Sequence, residues 1–475
     1  MQASPWADVG DRRLREDVEL LAARGLIAGP VTTWPVPAGF FANLQGDTSL
    51  AGQPEHVRKA ARRVLERLGG PGGGLRPSGE LRAASDPNLI RDFGDNARDE
   101  VDARVGLDYD GERFAANLRV GALSGFDGNG YRPTLDGSYA TALLGNWQLY
   151  GGFIEKWYGP GQVSSLILSN NSRPFPKIGI TRNGTEAFDT RWLSWLGNWQ
   201  LDFFVGLLEE QRRQVQDTWV GSLRFEFMPA KGFTVAITRA VQFCGESLGC
   251  NPLEAAFAIN NTDSDRNNSN DQATIEFKYV RDFNRFTVSP YVQFLNDDTG
   301  PFINAFTSYL TGLNWAGPWG ASGAAWSFTA EYSDTRATDD WFEFDDRLTG
   351  LAYNNDEYAD GFRYRGRTIG YSLDSDSTLI SLVGGLTDSR GRHYRLAWHN
   401  AQISTAELAA LQATGTNFQF NSVSAQPVNV HQIEGGISAP WRNFLFDLSV
   451  RWQDATPFPD RGSEFNVEAG VQFRF

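Results

Sequence analysis

Hydrophobic and polar residues alternate strictly along the last stretch of the chain, Phe465-Asn466-Val467-Glu468-Ala469-Gly470-Val471-Gln472-Phe473-Arg474-Phe475. Successive side chains of a strand point to opposite faces, so this pattern predicts a strand with one oily and one wet face. The same period recurs upstream. Trp219, Gly221, Leu223, Phe225 and Phe227 alternate with Val220, Ser222, Arg224 and Glu226; Ile275, Phe277 and Tyr279 alternate with Thr274, Glu276 and Lys278. Phe446, Leu448, Val450 and Trp452 alternate with Asp447, Ser449, Arg451 and Gln453. The period changes before residue 78. Asp11 caps a predicted helix with Leu14, Val18 and Leu21 on one face and Gly25 at its end. A second starts at Pro54, carries Val57, Ala61, Val64, Leu65 and Leu68 as a stripe, and stops at Gly69-Gly70. Arg58, Lys59, Arg62, Arg63 and Arg67 occupy its remaining surface.

A soluble sandwich would also alternate, so the connections decide the class. Tight turns are predicted at Asp110-Gly111, Gly145-Asn146, Gly197-Asn198, Pro229 to Gly232, Asp282 to Asn284, Ser389 to Gly391 and Pro440 to Asn443. Between them lie longer polar stretches, notably around 243–270, 335–376 and 402–428. Short turns alternating with long loops, and wet faces rich in charge, predict a transmembrane β-barrel with brief periplasmic turns and long outer loops. Counting candidates gives roughly eighteen to twenty antiparallel strands, within the range of such barrels. The count is weakest over 163–181, where Pro174 and Pro176 interrupt the pattern. The division predicted is an N-terminal helical region, 1–78, and a barrel, 79–475, joined by the glycine- and proline-rich Gly69 to Pro77. Pattern alone leaves the helical region either packing on itself or plugging a barrel mouth.

Composition agrees with the barrel and narrows the function. The chain has 475 residues, 50 glycines and 13% aromatics, with no uncharged apolar run long enough for a spanning helix. A net charge of −14 argues against a nucleic-acid partner. Met1 ahead of Gln2-Ala3-Ser4 reads as a start placed before a mature N-terminus. Cys244 and Cys250 are the only 2 cysteines; a small disulfide loop in an oxidising compartment fits them better than free thiols.

The chemistry expected is binding without catalysis. The four histidines, His56, His393, His399 and His431, form no metal-ligand spacing, and no phosphate loop, nucleophile elbow or cofactor fingerprint occurs. Neither a metal nor a cofactor is expected. The longest outer loop carries Asp339, Asp340, Trp341 and Phe342, where an aromatic face can pack on a pyranose ring and carboxylates can accept hydroxyl hydrogen bonds. Arg363, Arg365 and Arg367 share one face if extended, and guanidinium groups suit uronic-acid carboxylates; paired lumen arginines are the other reading. These seven residues are the candidate carbohydrate contacts.

Several segments resemble the capsule-assembly Wzi family: Ala3-Ser4-Pro5-Trp6, Gly29 to Pro35, Tyr158-Gly159-Pro160-Gly161, Ser164 to Asn171 followed by Arg173-Pro174, Cys244-Gly245-Glu246 and Tyr364 to Gly370. The terminal phenylalanine is also similar to the closing-strand signal of bacterial outer-membrane barrels. The resemblance implies an eighteen-stranded barrel whose periplasmic mouth is closed by an N-terminal helical bundle. It implies an outer-membrane lectin, not an enzyme, that holds capsular or exopolysaccharide on the cell surface through loops such as 335–362 and 402–428. A monomer surrounded by outer-membrane lipid is expected. The rival readings are a porin or polysaccharide export channel and, further off, a membrane-embedded hydrolase.

Overall fold

In a computed structural model of the chain, Phe465 and Val467 of the strand Glu464–Arg474 are 75% and 46% exposed, whereas Asn466 and Glu468 between them are buried. The alternation is present and inverted relative to a soluble core. Leu223, Leu396, Ile178 and Phe446 stand on the outer surface; Gln200, Arg224, Glu276, Gln293, Glu331 and His399 are buried inside. Such a wall is stable only where the outside solvent is itself apolar. The residues described are 5–45, 50–69, 74–125, 131–208, 215–246, 248, 250, 269–297, 306–338, 347–415, 418–458 and 462–474.

Among these, eighteen long antiparallel strands close into a barrel, with Arg132–Thr134, Arg281–Asp282 and Arg347–Leu348 as short pieces bonded alongside. Closure occurs where Glu464–Arg474 pairs with Gly74–Ala84, Glu468 opposite Ala84 and Val471 opposite Leu81. The wall therefore starts at Gly74, inside the stretch assigned above to the helical region. No described helix is long and apolar enough to cross a membrane.

Seven of the connections at one end are brief, among them 145–146, 320–323 and 442–443. One predicted tight turn is not a hairpin. Gly197 (φ +64°) ends a longer connection, 183–197, that leaves the wall after Arg182 and returns through the short turn Ser194–Leu196. Its glycine marks the point of re-entry.

The N-terminal region sits against this short-turn end. Helix α1 (Arg12–Ala23) is capped by the Asp11 carboxylate, which accepts from Leu14 N at 2.9 Å; helix α2 (Glu55–Arg67) follows Pro54. Leu14, Val18 and Leu21 meet Val57, Ala61 and Val64 in one apolar cluster with Trp34, Phe40 and Phe41. The basic face of α2 is used for attachment. Arg63 pairs with Asp17 of α1 at 2.6 Å, and Lys59 donates to the carbonyls of Ser322 and Ser389 in two tight turns. Helix α1 reaches the wall through Glu19 with Lys278 and Asn314, Glu16 with Ser327, and Arg24 with Asp282.

The count of turns places every long connection outside, but at the other end the structure does not keep them all there. Segments 85–100, 154–175 and 349–377 fold back into the lumen, where Ile90, Tyr158, Leu166, Tyr353, Phe362 and Tyr371 join wall residues such as Phe204, Tyr291 and Leu310 in a second apolar cluster. The interrupted stretch 163–181 is explained by this. Its first part is lumen filling, and the strand Pro176–Arg182 begins at the second proline.

Candidate functional site

The infolded segments are irregular, so their backbone polar groups need partners from the wall or from one another. Glu331 supplies much of this for 154–175. Its carboxylate accepts from the backbone N–H of Gln162 (2.7 Å), Val163 (3.3 Å) and Ser164 (2.6 Å) and from the Tyr291 hydroxyl (2.7 Å). Gln293 accepts from Leu166 N and donates to Tyr158 O. Segment 349–377 is tied to the same loop, since the Tyr353 hydroxyl donates to Leu166 O at 2.6 Å and Asn171 Nδ2 donates to Thr368 O at 2.9 Å. Segment 85–100 is tied in by Asn170 Nδ2, which donates to the carbonyls of Phe93 and Gly94. Three connections far apart in sequence thus form one mouth.

The arginine row predicted as extended is a hairpin. Arg365 and Gly366 have φ of +51° and +76°, the two-residue turn that pairs Arg363 with Thr368 and Tyr364 with Arg367. The three side chains consequently part company. Arg363 is 2% exposed and committed: it pairs bidentately with Asp374 (2.6 and 2.8 Å), donates to Tyr353 O and Asn354 Oδ1, and lies 4.1 Å from the Phe420 ring centroid. It clasps the infolded segment to the 418–424 stretch and has no face left for a ligand. Arg365 is exposed at the tip, 5.5 Å from the Tyr364 ring centroid, and Arg367 is half-buried, donating to Asn171 Oδ1 at 3.3 Å. Burial raises Asp376 to about 6, more than its hydrogen bonds from the Ser375 hydroxyl and Gly350 N offset. Asp339, Asp340, Trp341 and Phe342 lie outside the described residues.

Cys244 and Cys250 are joined in a disulfide, and Cys244 O accepts from the Tyr358 hydroxyl of the infolded segment. Cys244 therefore abuts the mouth. The connection 402–428, predicted as irregular, contains a short helix, Ala406–Ala413, capped by Thr405 Oγ1. No set of three histidine, cysteine, aspartate or glutamate side chains able to hold a metal occurs among the described residues.

Residues that pattern reading missed complete the mouth. Arg98 donates to Asn171 O, Ser172 O and Glu155, and Arg173 pairs bidentately with Asp136 at 2.9 Å. Asn170, Asn171 and Arg173 fall in a segment singled out above for its resemblance, which was the available signal. Arg91 and Arg98 are isolated arginines in a nonperiodic stretch and carried none. Chemically the mouth offers guanidinium, amide and hydroxyl donors beside aromatic rings.

The family model described as capsule assembly protein Wzi matches residues 75–384. A curated relative from Klebsiella pneumoniae, described as an uncharacterised 55.8 kDa protein in the cps region, is 26% identical over 336 residues, 69% of this chain and 65% of the relative. The chain thus spans just under two thirds of that relative's length. Among solved structures the chain is similar to Wzi of Escherichia coli, described as an outer membrane protein involved in group 1 capsule assembly and a carbohydrate-binding β-barrel. That likeness has a TM-score of 0.82 at 21% identity and covers 98% of this chain and 99% of that one. OprD of Pseudomonas aeruginosa is a looser likeness, with a TM-score of 0.45 at 10% identity over 86% of this chain and 96% of that one. Because the family match covers well over half of the residues, this chain belongs to the capsule assembly protein Wzi family.

Proposed function

We propose that this protein is a non-catalytic lectin of the bacterial outer membrane that anchors capsular or related polysaccharide to the cell surface. The observation that carries the reading is the filled lumen. Rings buried to the point of near-zero exposure, among them Tyr353, Phe362 and Tyr371, occupy the space a transport channel would leave to water. Residues 1–78 act as a plug from the periplasmic side, with the wall's first residues, from Gly74, at their end. The long-connection mouth faces outward, and Asp339, Asp340, Trp341 and Phe342 are proposed as further sugar contacts. Arg365 at the hairpin tip is the candidate arginine best exposed for this. Each contact with a repeating polymer is weak, and retention comes from many acting together. The protein works as a monomer surrounded by lipid.

The test is retention of the source organism's own exopolysaccharide by intact protein on cells or in lipid vesicles. Retention should fall when residues 339–342 are replaced by glycine and serine, with the barrel's resistance to SDS unchanged. Retention that survives both this replacement and Arg365→Ala removes the outward mouth from the reading. In a planar bilayer the intact chain should conduct negligibly, and large steady conductance would favour an export channel.

A further inference from the structure

Most buried guanidinium groups of this protein have a carboxylate against them: Arg82 has Glu80, Arg104 has Asp102, Arg224 has Glu276 and Arg363 has Asp374. At the mouth the rule lapses. Arg91 is 3% exposed; its Nη2 donates to Ala97 O at 3.1 Å and its Nε has no partner. Arg367 reaches Asn171 Oδ1. Neither is within ion-pair distance of a carboxylate among the described residues. Arg98 converges on the same asparagine through Asn171 O at 3.3 Å, pairs with Glu155 at 2.6 Å, and also has an unpartnered Nε. One carboxylate contact therefore serves three clustered cations. Asp86, Asp95, Asp136 and Glu468 act on them only from longer range.

The crowding has an energetic signature. Burial, then the charges of Arg367 and Arg98, push Arg91 well below the ordinary arginine range, and burial with Arg98 brings Arg367 down to about 10. A guanidinium holds its proton at any pH the protein meets. The free protein must then carry one buried and one half-buried cation with no carboxylate at ion-pair distance, an arrangement that costs stability unless an anion arrives to complete it. Arg91 and Arg98 belong to a loop and Arg367 to the small hairpin, all outside the barrel wall, so no wall geometry obliges arginine at these positions.

We propose that Arg91, Arg98 and Arg367 form a binding site for a sugar-borne carboxylate, a uronate-type group of the polymer entering beside the exposed hairpin tip Arg365–Gly366. Half-buried Arg367 meets the carboxylate through its planar fork, and Arg91 beneath it supplies unscreened charge. Asn171, shared by Arg98 and Arg367, fixes their spacing. The site names the ligand chemistry of the lectin reading above and rests on it.

The test uses the full chain in detergent, with sodium glucuronate against glucose by calorimetry, and polygalacturonate against its carboxyl-reduced form by pull-down. Glucuronate should bind and glucose should not, and Arg91→Met or Arg367→Gln should weaken glucuronate at least tenfold. In the absence of ligand, Arg91→Met should leave the melting temperature unchanged or raise it, because a like charge is removed. A purely structural arginine gives the opposite pair of results, a lowered melting temperature with glucuronate binding intact, and would overturn the site. Equal retention of acidic and carboxyl-reduced polymer by wild type also overturns it, while leaving polysaccharide binding in place. Loss of all polymer binding with arginine-dependent glucuronate binding retained would keep the site and remove the lectin reading.

Discussion

The N-terminal helices meet a charged wall at the short-turn end, through Glu19 with Lys278, Glu16 with Ser327 and Arg24 with Asp282. The infolded segments at the opposite mouth meet an apolar wall of Phe204, Tyr291, Leu295, Leu310 and Leu379. Both fill one lumen with a different balance of forces: the helical region adds an apolar contact of Trp34 with Phe93, and the infolded segments add backbone hydrogen bonds donated to Glu331 and Gln293. Apolar burial is indifferent to salt and nearly indifferent to pH, whereas ion pairs respond to both. The mouth, with its larger apolar share against the wall, should keep its shape across solution conditions. The helical end is attached in a way that solution conditions can loosen.

Removing one buried ring should break the mouth most severely. Tyr353→Ala deletes a side chain with no exposure and its hydrogen bond to Leu166 O, at a cost of about 3–5 kcal/mol. Denaturant unfolding should record that loss, with new protease cleavage in 349–377. Stability within about 1 kcal/mol of wild type would mean that the cluster is not what holds this segment.

A smaller loss is expected at Glu331. Glu331→Ala strips the acceptor from three backbone N–H groups and the Tyr291 hydroxyl, worth on the order of 3 kcal/mol if the loop partly relaxes. Hydrogen exchange at Gln162, Val163 and Ser164 should accelerate while α1 stays protected. Acceleration spread evenly over both ends would erase the contrast between them.

The contrast also explains what the sequence made legible. The wall was readable because lipid and lumen lie on opposite faces of every strand, so Phe446 to Gln453 must alternate. The capped helices were readable from Asp11, Pro54 and their apolar stripes. The mouth has no such period. Tyr353, Tyr358, Phe362, Tyr371 and Leu373 are buried by an irregular path, and an irregular path leaves no repeat. Arg363, Arg365 and Arg367 share a face only at strand spacing, and the positive φ of Arg365 and Gly366 breaks that spacing with a turn. Gly197 misled in the reverse direction, its positive φ serving re-entry to the wall.

At the helical end the expected effect of one substitution is smaller again. Glu19→Gln weakens contacts to Lys278, Arg15, Gln162 and Asn314 but keeps an acceptor, so about 1–3 kcal/mol is expected. Exchange in α1 should rise, and further in high salt, while Gln162 to Ser164 remain protected. Equal salt sensitivity at both ends would contradict the division of forces.

The smallest effect is a pH dependence confined to the helices. Burial pushes Glu16 up to about 7, beyond what the Ser327 hydroxyl and Arg63 offset, with Glu19 and Asp11 of α1 adding repulsion and His393 of the wall 3.7 Å away. Asp17 is raised as well, again by burial, against Arg63. A carboxyl raised in the folded state favours folding fully at low pH and loses that contribution as pH climbs through the folded value. Asp11 and Glu19 have the opposite sign: despite burial, Arg13 and Arg67 hold the first low, and Lys278 and Arg15 the second. Their contribution disappears as pH falls below the usual carboxylate range. Protection of α1, corrected for intrinsic exchange, should therefore peak near pH 4.5, fall as pH rises from there through about 7, level off above that, and fall again on the acid side. Glu16→Gln should flatten the alkaline limb and leave the acid limb. An alkaline decline that persists in this variant assigns it to another group, and one shared by the Leu166 amide, which donates to the neutral Gln293 side chain, would show that the mouth, too, is held by charge.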